Sequence, residues 1–210
     1  DLRLKIAQWD VPILVDESAF EFTPGEGFGI AVDLGTTTLV AQLLDLATGK
    51  VLGVRTGLNP QAGYGADVMS RIQVALGAGG AGRLATLIRA GIGRLIQELL
   101  PAARGPVRKV VIVGNTVMHH LFCGIDVEPL SHVPFETTGD GLVSFRAAEL
   151  GWPVPGDPPV EFLPCLGGFV GSDILAGILA TRMHESAELI GLIDLGTNGE
   201  IVFGTRERIL

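Results

Sequence analysis

The spacing of apolar and polar residues along the chain predicts strands first and helices afterwards. Short apolar runs at 28–33, 38–44 and 51–56 are separated by turn residues, which is typical of three strands in a meander. Apolar residues then recur every third or fourth position from Val68 to Leu76 and from Leu84 to Leu99. This is the period of amphipathic helices, so two helical segments are predicted there.

Between these helical runs lies the Gly-rich segment 77–82, which we expect to be a flexible loop tip, because Gly disfavours the helix. An apolar run at 109–113 predicts a buried strand. The following Gly114-Asn115-Thr116 opens a helix to about Phe122, and either Asn115 or Thr116 is suited to cap it.

Residues 124–159 are rich in Pro and Gly and show no clear period, so an irregular insertion is expected. Within it, short strand character appears near Val143 and a short helix near Ala147. The remaining predicted elements are a strand at 160–163, a glycine loop at 167–171, a helix at 172–184 with Ser172 as N-cap, and strands at 191–194 and 200–204.

The predicted order is βββαβαβα followed by the first strands of another unit, which indicates an α/β fold. We expect three parts. Residues 1–27 form the tail of a preceding domain or a linker, 28–189 form a first subdomain that contains the insertion, and 190–210 begin a second, truncated subdomain.

Composition narrows the class of protein. With 47% hydrophobic residues the chain can bury a substantial core. Its formal charge of -8, with 15 scattered Lys and Arg, argues against nucleic-acid binding. No apolar stretch approaches the roughly 20 residues of a membrane-spanning helix, and the start lacks the layout of a signal peptide. A cytoplasmic protein that binds neither membrane nor nucleic acid is therefore expected.

Metal-binding side chains are sparse. Cys123 and Cys165 are the only cysteines and have no His at ligand spacing, so neither a zinc nor an iron–sulfur site is expected within this chain. His119 and His120 are adjacent on a helix and point about 100° apart, so they cannot chelate one metal ion. We expect one of them to be packed and the other solvated.

The motif D-L-G-T occurs twice and is the main indication of a functional site. Asp33-Leu34-Gly35-Thr36 and Asp194-Leu195-Gly196-Thr197 each follow a predicted strand. Gly permits a close turn, backbone N–H groups and Thr hydroxyls can converge on phosphate oxygens, and a carboxylate can hold Mg²⁺ or its waters. Two such hairpins, each at the start of a structural unit, can grip a triphosphate and its metal between them.

The motifs DLGTTT and DLGTNGE resemble the phosphate motifs of the actin, hsp70 and sugar-kinase ATPase superfamily, which has a ribonuclease H-like fold. Within that superfamily the chain resembles the ATP-binding domain of the reductive activators of corrinoid proteins. The resemblance runs from residue 28 to 210. It rests on these motifs and on NPQAGYGADVMSRI, VIVGNTVMHHLFCGID and PCLGGFVGSDILAGILAT.

The resemblance implies roles for individual residues. Asp33 and Asp194 would position Mg²⁺ and the attacking water, and Glu200 is a candidate general base, although a solvated strand residue explains it as well. The phosphates would be held by Gly35, Thr36, Thr37 and Thr38 on one side and by Gly196, Thr197, Asn198 and Gly199 on the other.

Further residues have two interpretations each. Gly114, Asn115 and Thr116 are either a cleft element or a plain helix cap, and the same holds for Gly167, Gly168 and the helix start at Asp173. Asn59, Gln61, Asp67 and Arg71 look like a signature at the cleft, but a turn followed by an i, i+4 ion pair between Asp67 and Arg71 is the favoured explanation.

The function implied by the resemblance is ATP hydrolysis that drives electron transfer from a ferredoxin-like protein to a cob(II)amide protein. ATP and Mg²⁺ are the implied cofactors of this part. A [2Fe-2S] cluster is expected in the full-length protein but not in this chain, and the chain alone is expected to be inactive. The implied partner is a corrinoid protein, and a homodimer is left open.

Other functions remain open from the sequence. One is a small-molecule kinase of the same superfamily, and another is a non-catalytic, actin-like assembly module. A 2-hydroxyacyl-CoA dehydratase activator is also related, but it requires cluster cysteines that Cys123 and Cys165 alone do not supply unless two subunits share them.

Overall fold

A computed structural model describes residues 23–210, so most of the expected tail at 1–27 lies outside the described residues. The first sheet has six strands in the order β3-β2-β1-β4-β6-β5. Strands β1, β2 and β3 form the predicted antiparallel meander, β4 and β6 continue it in parallel to β1, and β5 is antiparallel to β6. The strands are β1 Phe28–Leu34, β2 Thr38–Asp45, β3 Val51–Leu58, β4 Val107–Gly114, β5 Val143–Arg146 and β6 Pro159–Phe162.

Strand β1 lies in the middle of this sheet, and buried residues alternate with exposed ones along most of its length. Ile30, Val32 and Leu34 face the core and are at most 2% exposed. Their period of two presents one apolar face to the helices. Asp33, between them, points to the opposite side at the end of the strand.

Four helices accompany the strands in the described part of the chain: α1 Val68–Leu76, α2 Gly80–Leu99, α3 Thr116–Cys123 and α4 Ser172–Ala180. The apolar stripe of α2, which includes Leu84, Ile88 and Ile92, is fully buried, and the helix packs against β2 and β3. None of the helices within 23–210 is both long and apolar enough to cross a bilayer.

The expected loop tip at 77–82 is wrong in its second half, because Gly80, Ala81 and Gly82 form the first turn of α2. Only Gly77, Ala78 and Gly79 connect the helices, and Gly79 adopts a left-handed φ of 68°. A Cβ at Gly80 would lie 1.8 Å from the carbonyl oxygen of Val74 in α1. Gly occurs here because the two helix ends touch.

Residues 124–159, expected to be an irregular insertion, contain more regular structure than the sequence predicts. β5 pairs with β6 and extends the main sheet, and a 3-10 turn spans Ala147–Leu150, close to the short helix expected near Ala147. A second 3-10 turn spans Glu128–Leu130.

A second, three-stranded sheet consists of β7 Ile190–Leu195, β8 Gly199–Thr205 and β9 Arg208–Ile209. β7 and β8 form the predicted hairpin, whereas β9 was not predicted. Helix α4 ends at Ala180 rather than 184, and a 3-10 turn at Met183–Glu185 follows it. A small core of Ile174, Ile178, Met183 and Val202 joins α4 to this sheet. The expected α/β, actin-like fold is confirmed, and its main sheet is mixed.

Candidate functional site

The turns of the two D-L-G-T hairpins meet, although they are far apart in sequence. The first turn, 35–37, joins β1 to β2, and the second turn, 196–198, joins β7 to β8. Thr37 and Thr197, 160 positions apart, place their hydroxyl oxygens 2.7 Å from each other. This is hydrogen-bond distance. The two copies of the D-L-G-T motif therefore lie side by side in the folded chain and can form a single site.

The first turn is fixed by its own backbone and by a neighbouring helix. The Gly35 N–H donates to the Thr38 carbonyl at 3.0 Å, and a Cβ at Gly35 would lie 2.6 Å from that same oxygen. Only Gly fits such an approach. Thr36 is 5% exposed, whereas the side chains of Thr37 and Thr38 are open to solvent. Thr37 and Thr38 therefore present their hydroxyls at the surface of the turn.

The second turn is looser. The Gly196 N–H donates to the Asn198 carbonyl at 3.1 Å, and a Cβ at Gly196 would lie 3.2 Å from that oxygen. Gly199 begins β8 opposite Leu195. All residues from Gly196 to Gly199 are exposed, so their backbone and the Thr197 hydroxyl are accessible.

The junction of β4 and α3 contacts the first turn, and here Asn115 has two roles. Its Oδ1 accepts a hydrogen bond from the Met118 N–H at 3.0 Å, so it is the N-cap of α3, as one of the two predicted alternatives stated. Its Nδ2 donates to the Thr36 hydroxyl at 2.9 Å. A Cβ at Gly114 would lie 2.5 Å from the Leu34 carbonyl oxygen. Helix capping and contact with the turn thus coexist in one side chain.

The glycine loop before α4 lies against the same junction. The Thr116 hydroxyl donates to the Gly167 carbonyl at 2.7 Å, and a Cβ at Gly168 would lie 2.8 Å from the Phe135 carbonyl oxygen. Gly167 and Gly168 are therefore linked to α3 and to the insertion.

The predicted cap of α4 is wrong. Gly171 is the N-cap, and Ser172 is the first residue of the helix. A Cβ at Gly171 would lie 2.1 Å from the Gly114 carbonyl oxygen, so the two junctions pack backbone to backbone. Ser172 accepts a hydrogen bond from the Gly114 N–H at 3.2 Å instead of capping its own helix.

Four carboxylates cluster electrostatically at this location: Asp33, Asp173, Asp194 and Glu200. Burial among protein atoms, followed by repulsion from Asp173 and Asp194, raises the pKa of Asp33 to about 6. Its side chain still reaches solvent. The Asp33 carboxyl is thus crowded by protein atoms and by other carboxylates while its side chain still contacts solvent.

The pKa values of two further carboxyls are also above their usual range. For Asp173 the main cause is burial, and the charge of Asp194 adds to it. For Glu200 it is burial, with the charges of Asp173 and Asp194. Asp194 and Glu200 lie opposite each other in the β7–β8 ladder, so they share one face of the sheet. The sequence left Asp173 open between a cleft role and a place favoured at any helix start, and the structure brings it into the carboxylate cluster.

These carboxylates do not form a closed metal cage, because no group of three or more His, Cys, Asp and Glu side chains within 23–210 is arranged to hold an ion. The donor set nevertheless suits Mg²⁺. This ion prefers oxygen ligands and usually takes one or two carboxylates, with waters and substrate phosphates completing its shell. A cation would also relieve the mutual repulsion that raises the pKa of Asp33.

Other residues singled out from the sequence have structural roles. Asp67 caps α1 by accepting from the Ser70 N–H at 2.9 Å. Arg71 is fully buried and donates instead to the Gly65 carbonyl and to Gln61, so the alternative of an Asp67–Arg71 ion pair is wrong. Burial lowers the pKa of Arg71, and the charge of Asp67 partly offsets this effect.

The prediction of one packed and one solvated histidine is also wrong, because His119 and His120 are both fully buried. His119 Nε2 lies 3.2 Å from the Gly141 carbonyl, and His120 Nε2 lies 3.1 Å from the Thr137 hydroxyl. Burial lowers the pKa of His119 to about 4, and the neighbouring His120 contributes, so His119 is neutral at physiological pH. The pair anchors the insertion onto α3.

Comparison with known proteins agrees with this architecture. A model of the RACo middle region matches residues 28–186. The chain is 33% identical over 185 residues to the corrinoid activation enzyme RamQ of Eubacterium limosum, covering 86% of this chain and 31% of that protein. A solved structure, a reductive activator for corrinoid,iron-sulfur protein, superposes with a TM-score of 0.82 at 35% identity. That match covers 90% of this chain and 31% of the other.

The chain thus spans about a third of the length of both relatives. The family match itself covers well over half of the 210 residues and includes the first hairpin, both strand–helix junctions and α4. The chain belongs to the RACo middle-region family.

Proposed function

We propose that this chain binds the phosphates of ATP, with Mg²⁺, between its two hairpin turns, as the nucleotide-hydrolysing part of a reductive activator of corrinoid proteins. The observation that carries the proposal is the meeting of the two turns at Thr37 and Thr197 beside four carboxylates. Two glycine-containing turns with accessible hydroxyls and backbone N–H groups are suited to phosphate oxygens.

In this proposal Asp33 and Asp194 hold Mg²⁺, directly or through waters. When bound, the ion would neutralise charge on the phosphate oxygens. The exposed Thr37 and Thr38 hydroxyls donate to phosphate from one side, and the turn from Gly196 to Gly199 donates from the other. Because the two turns belong to different sheets, closing them around the phosphates would orient the substrate.

The water that attacks the terminal phosphate needs a proton acceptor. Glu200 and Asp173 are the candidates, because burial and repulsion raise the pKa of both and so make each a stronger base than an ordinary carboxylate. Glu200 lies directly opposite Asp194 in its hairpin, which places it beside the proposed metal-holding residue. We assign the base role to Glu200 and a supporting role to Asp173.

The two sheets also indicate how the chain is divided into subdomains. We infer that residues 28–189 form a first subdomain and that 190–210 begin a second one. The second sheet supports this inference, because Ile193, Ile201 and Phe203 leave an apolar face open, with Ile193 and Ile201 paired across the ladder. Its relatives are about three times as long, so they contain further chain that can cover such a face.

For the full-length protein we propose that ATP turnover changes the angle between the two subdomains and so drives electron transfer to a cob(II)amide protein. The electron would come from a [2Fe-2S] cluster outside this chain. The names of the two relatives, both concerned with corrinoid activation, support this partner class.

The test uses the full-length protein with ATP, with and without Mg²⁺, a reduced ferredoxin donor and a cob(II)amide protein. Phosphate release and cobalt reduction are followed together. The variants Asp33→Asn and Asp194→Asn should each reduce ATP turnover at least about 100-fold, because each removes a negatively charged ligand of the proposed Mg²⁺. Glu207 is an exposed carboxylate on the β8–β9 turn, so Glu207→Gln is the charge-matched control, and its ATP turnover should equal that of the unaltered protein.

Two results would overturn the proposal. One is ATP turnover that persists in both aspartate variants, which would remove the site. The other is transfer of phosphate to a small molecule without cobalt reduction, which would indicate a kinase.

A further inference from the structure

A buried polar network lies behind the first hairpin turn, and the phosphate site does not account for it. Asn59, Gln61 and Arg71 are at most 1% exposed. Burying amide and guanidinium groups is costly unless hydrogen bonds compensate for lost water. Such a network at a core position therefore needs a reason beyond filling space.

Asn59 contacts the turn through both its side chain and its backbone. Its Nδ2 donates to the Gly35 carbonyl at 2.9 Å, and its backbone N–H donates to the Thr37 carbonyl at 2.8 Å. Two carbonyls of the turn are thus engaged from the protein side. With its carbonyls held there, the turn is kept in one orientation.

Asn59 is itself held in place. Its Oδ1 accepts from the Gln61 N–H at 2.9 Å, and the Gln61 side chain donates to the Leu84 carbonyl at 3.0 Å and accepts from Arg71 Nη1 at 3.3 Å. Arg71 is fixed in turn through Nε, which donates to the Gly65 carbonyl at 3.0 Å. A continuous series of hydrogen bonds runs from α1 to the turn.

The network also touches α3, the helix whose cap donates to Thr36. Met118 Sδ lies 3.6 Å from Asn59 Nδ2 and 3.5 Å from Arg71 Nη1. Two asparagines therefore support the first turn. Asn59 donates hydrogen bonds to two carbonyls of the turn, and Asn115 donates one to the buried Thr36 hydroxyl.

We propose that Asn59 is the positioning residue of the first phosphate turn and that Gln61 and Arg71 act through it. The Asn59 amide fixes the Gly35 carbonyl, so the turn is organised before any nucleotide arrives. The part of this inference that concerns ATP rests on the proposed function, whereas the part that concerns the order of the turn does not.

The test compares Asn59→Leu with Trp152→Phe in the full-length protein. The control also removes one buried hydrogen bond, from Trp152 Nε1 to the Arg89 carbonyl at 2.8 Å, but away from the turn. Melting temperature, affinity for Mg-ATP and amide hydrogen exchange of a peptide covering 34–39 are measured on both. Asn59→Leu should weaken ATP binding about tenfold and speed exchange in this peptide about tenfold, because an unpaired carbonyl frees the turn.

The control should lower the melting temperature without changing affinity or exchange in that peptide. If Asn59→Leu does not fold, Gln61→Leu replaces it, with a smaller effect of about threefold expected, since Asn59 itself remains. Equal behaviour of the Asn59 variant and the control would overturn the inference. Absence of ATP binding by the unaltered protein would instead contradict the proposed function, and exchange alone would then decide whether Asn59 orders the turn.

Discussion

The two D-L-G-T hairpins share a phrase and a turn but have different surroundings. Leu34 of the first is fully buried, whereas Leu195 of the second is 87% exposed. In the first hairpin Asn59 and Asn115 hold the turn, and in the second the hydrogen bonds of the turn run between Gly196 and Asn198 and between Thr197 and Thr37. Local sequence thus sets the shape of a hairpin, and packing decides how rigidly that shape is held.

The largest expected difference concerns the leucines. Leu34→Ala should destabilise the chain by about 2–5 kcal/mol, because it leaves a cavity in the core. Leu195→Ala should change stability by less than about 0.5 kcal/mol, because its side chain is exposed. Chemical unfolding of the 210-residue chain measures both. A cost for Leu195→Ala that grows in the full-length protein would sharpen the comparison, since it would show that further chain covers this face.

The next largest difference is expected between the two turn glycines, Gly35 and Gly196, in the stability lost when each is replaced by Ala. Gly35→Ala is expected to cost about 1–3 kcal/mol, because the new Cβ would clash with backbone that cannot move cheaply. Gly196→Ala should cost less than about 1 kcal/mol, since the contact it creates is longer and the turn is exposed. Thermal unfolding of both variants gives the answer. Equal costs would mean that the first turn is no more constrained than the second.

The Asp33 carboxyl gives the first hairpin a pH dependence. Its pKa is about 6 in the folded protein against an ordinary 3.8, so the folded state binds the proton more tightly. Stability should therefore fall as pH rises from about 4 to 6, by about 1 kcal/mol once solvent exposure is taken into account.

Asp33→Asn should remove that loss. The melting temperatures of the variant and the unaltered chain should be similar near pH 4, and the variant should be the more stable at pH 7. A constant difference across this range would contradict the assignment of the titration to Asp33.

The smallest expected effect concerns the contact between the two turns. Thr37→Val and Thr197→Val each remove one hydroxyl of a solvent-exposed hydrogen bond. Each should cost less than about 1 kcal/mol, and a double-mutant cycle should give a coupling of about 0.5 kcal/mol. Zero coupling would indicate that the turns are adjacent but independent.

Much of the site could be predicted because its signals are local. A short apolar strand, Asp, Gly and a polar turn indicate a hairpin wherever they occur, and Asn115 caps the helix that follows it immediately. The residues that the sequence misplaced depend on distant neighbours. Gly171 replaces Ser172 as the cap because the backbone of Gly114 leaves no room for a side chain there.

The buried histidines illustrate the same limit. The helical period places His119 and His120 on different sides of α3, which suggested that one faces solvent. The insertion instead folds back and offers Gly141 and Thr137 as partners for them. Asp173 joined the carboxylate cluster for a similar reason, because only the packing of α4 beside the second sheet brings it near Asp194.

The sequence by itself determined the two hairpins, the order of most of the elements and the α/β class, because turn chemistry and hydrophobic period act over a few residues. Only the tertiary structure decided that the two turns touch, that Asn59 lies behind the first of them and that four carboxylates lie close enough to repel one another. These facts depend on how separate elements pack, and the residues involved come from distant parts of the chain.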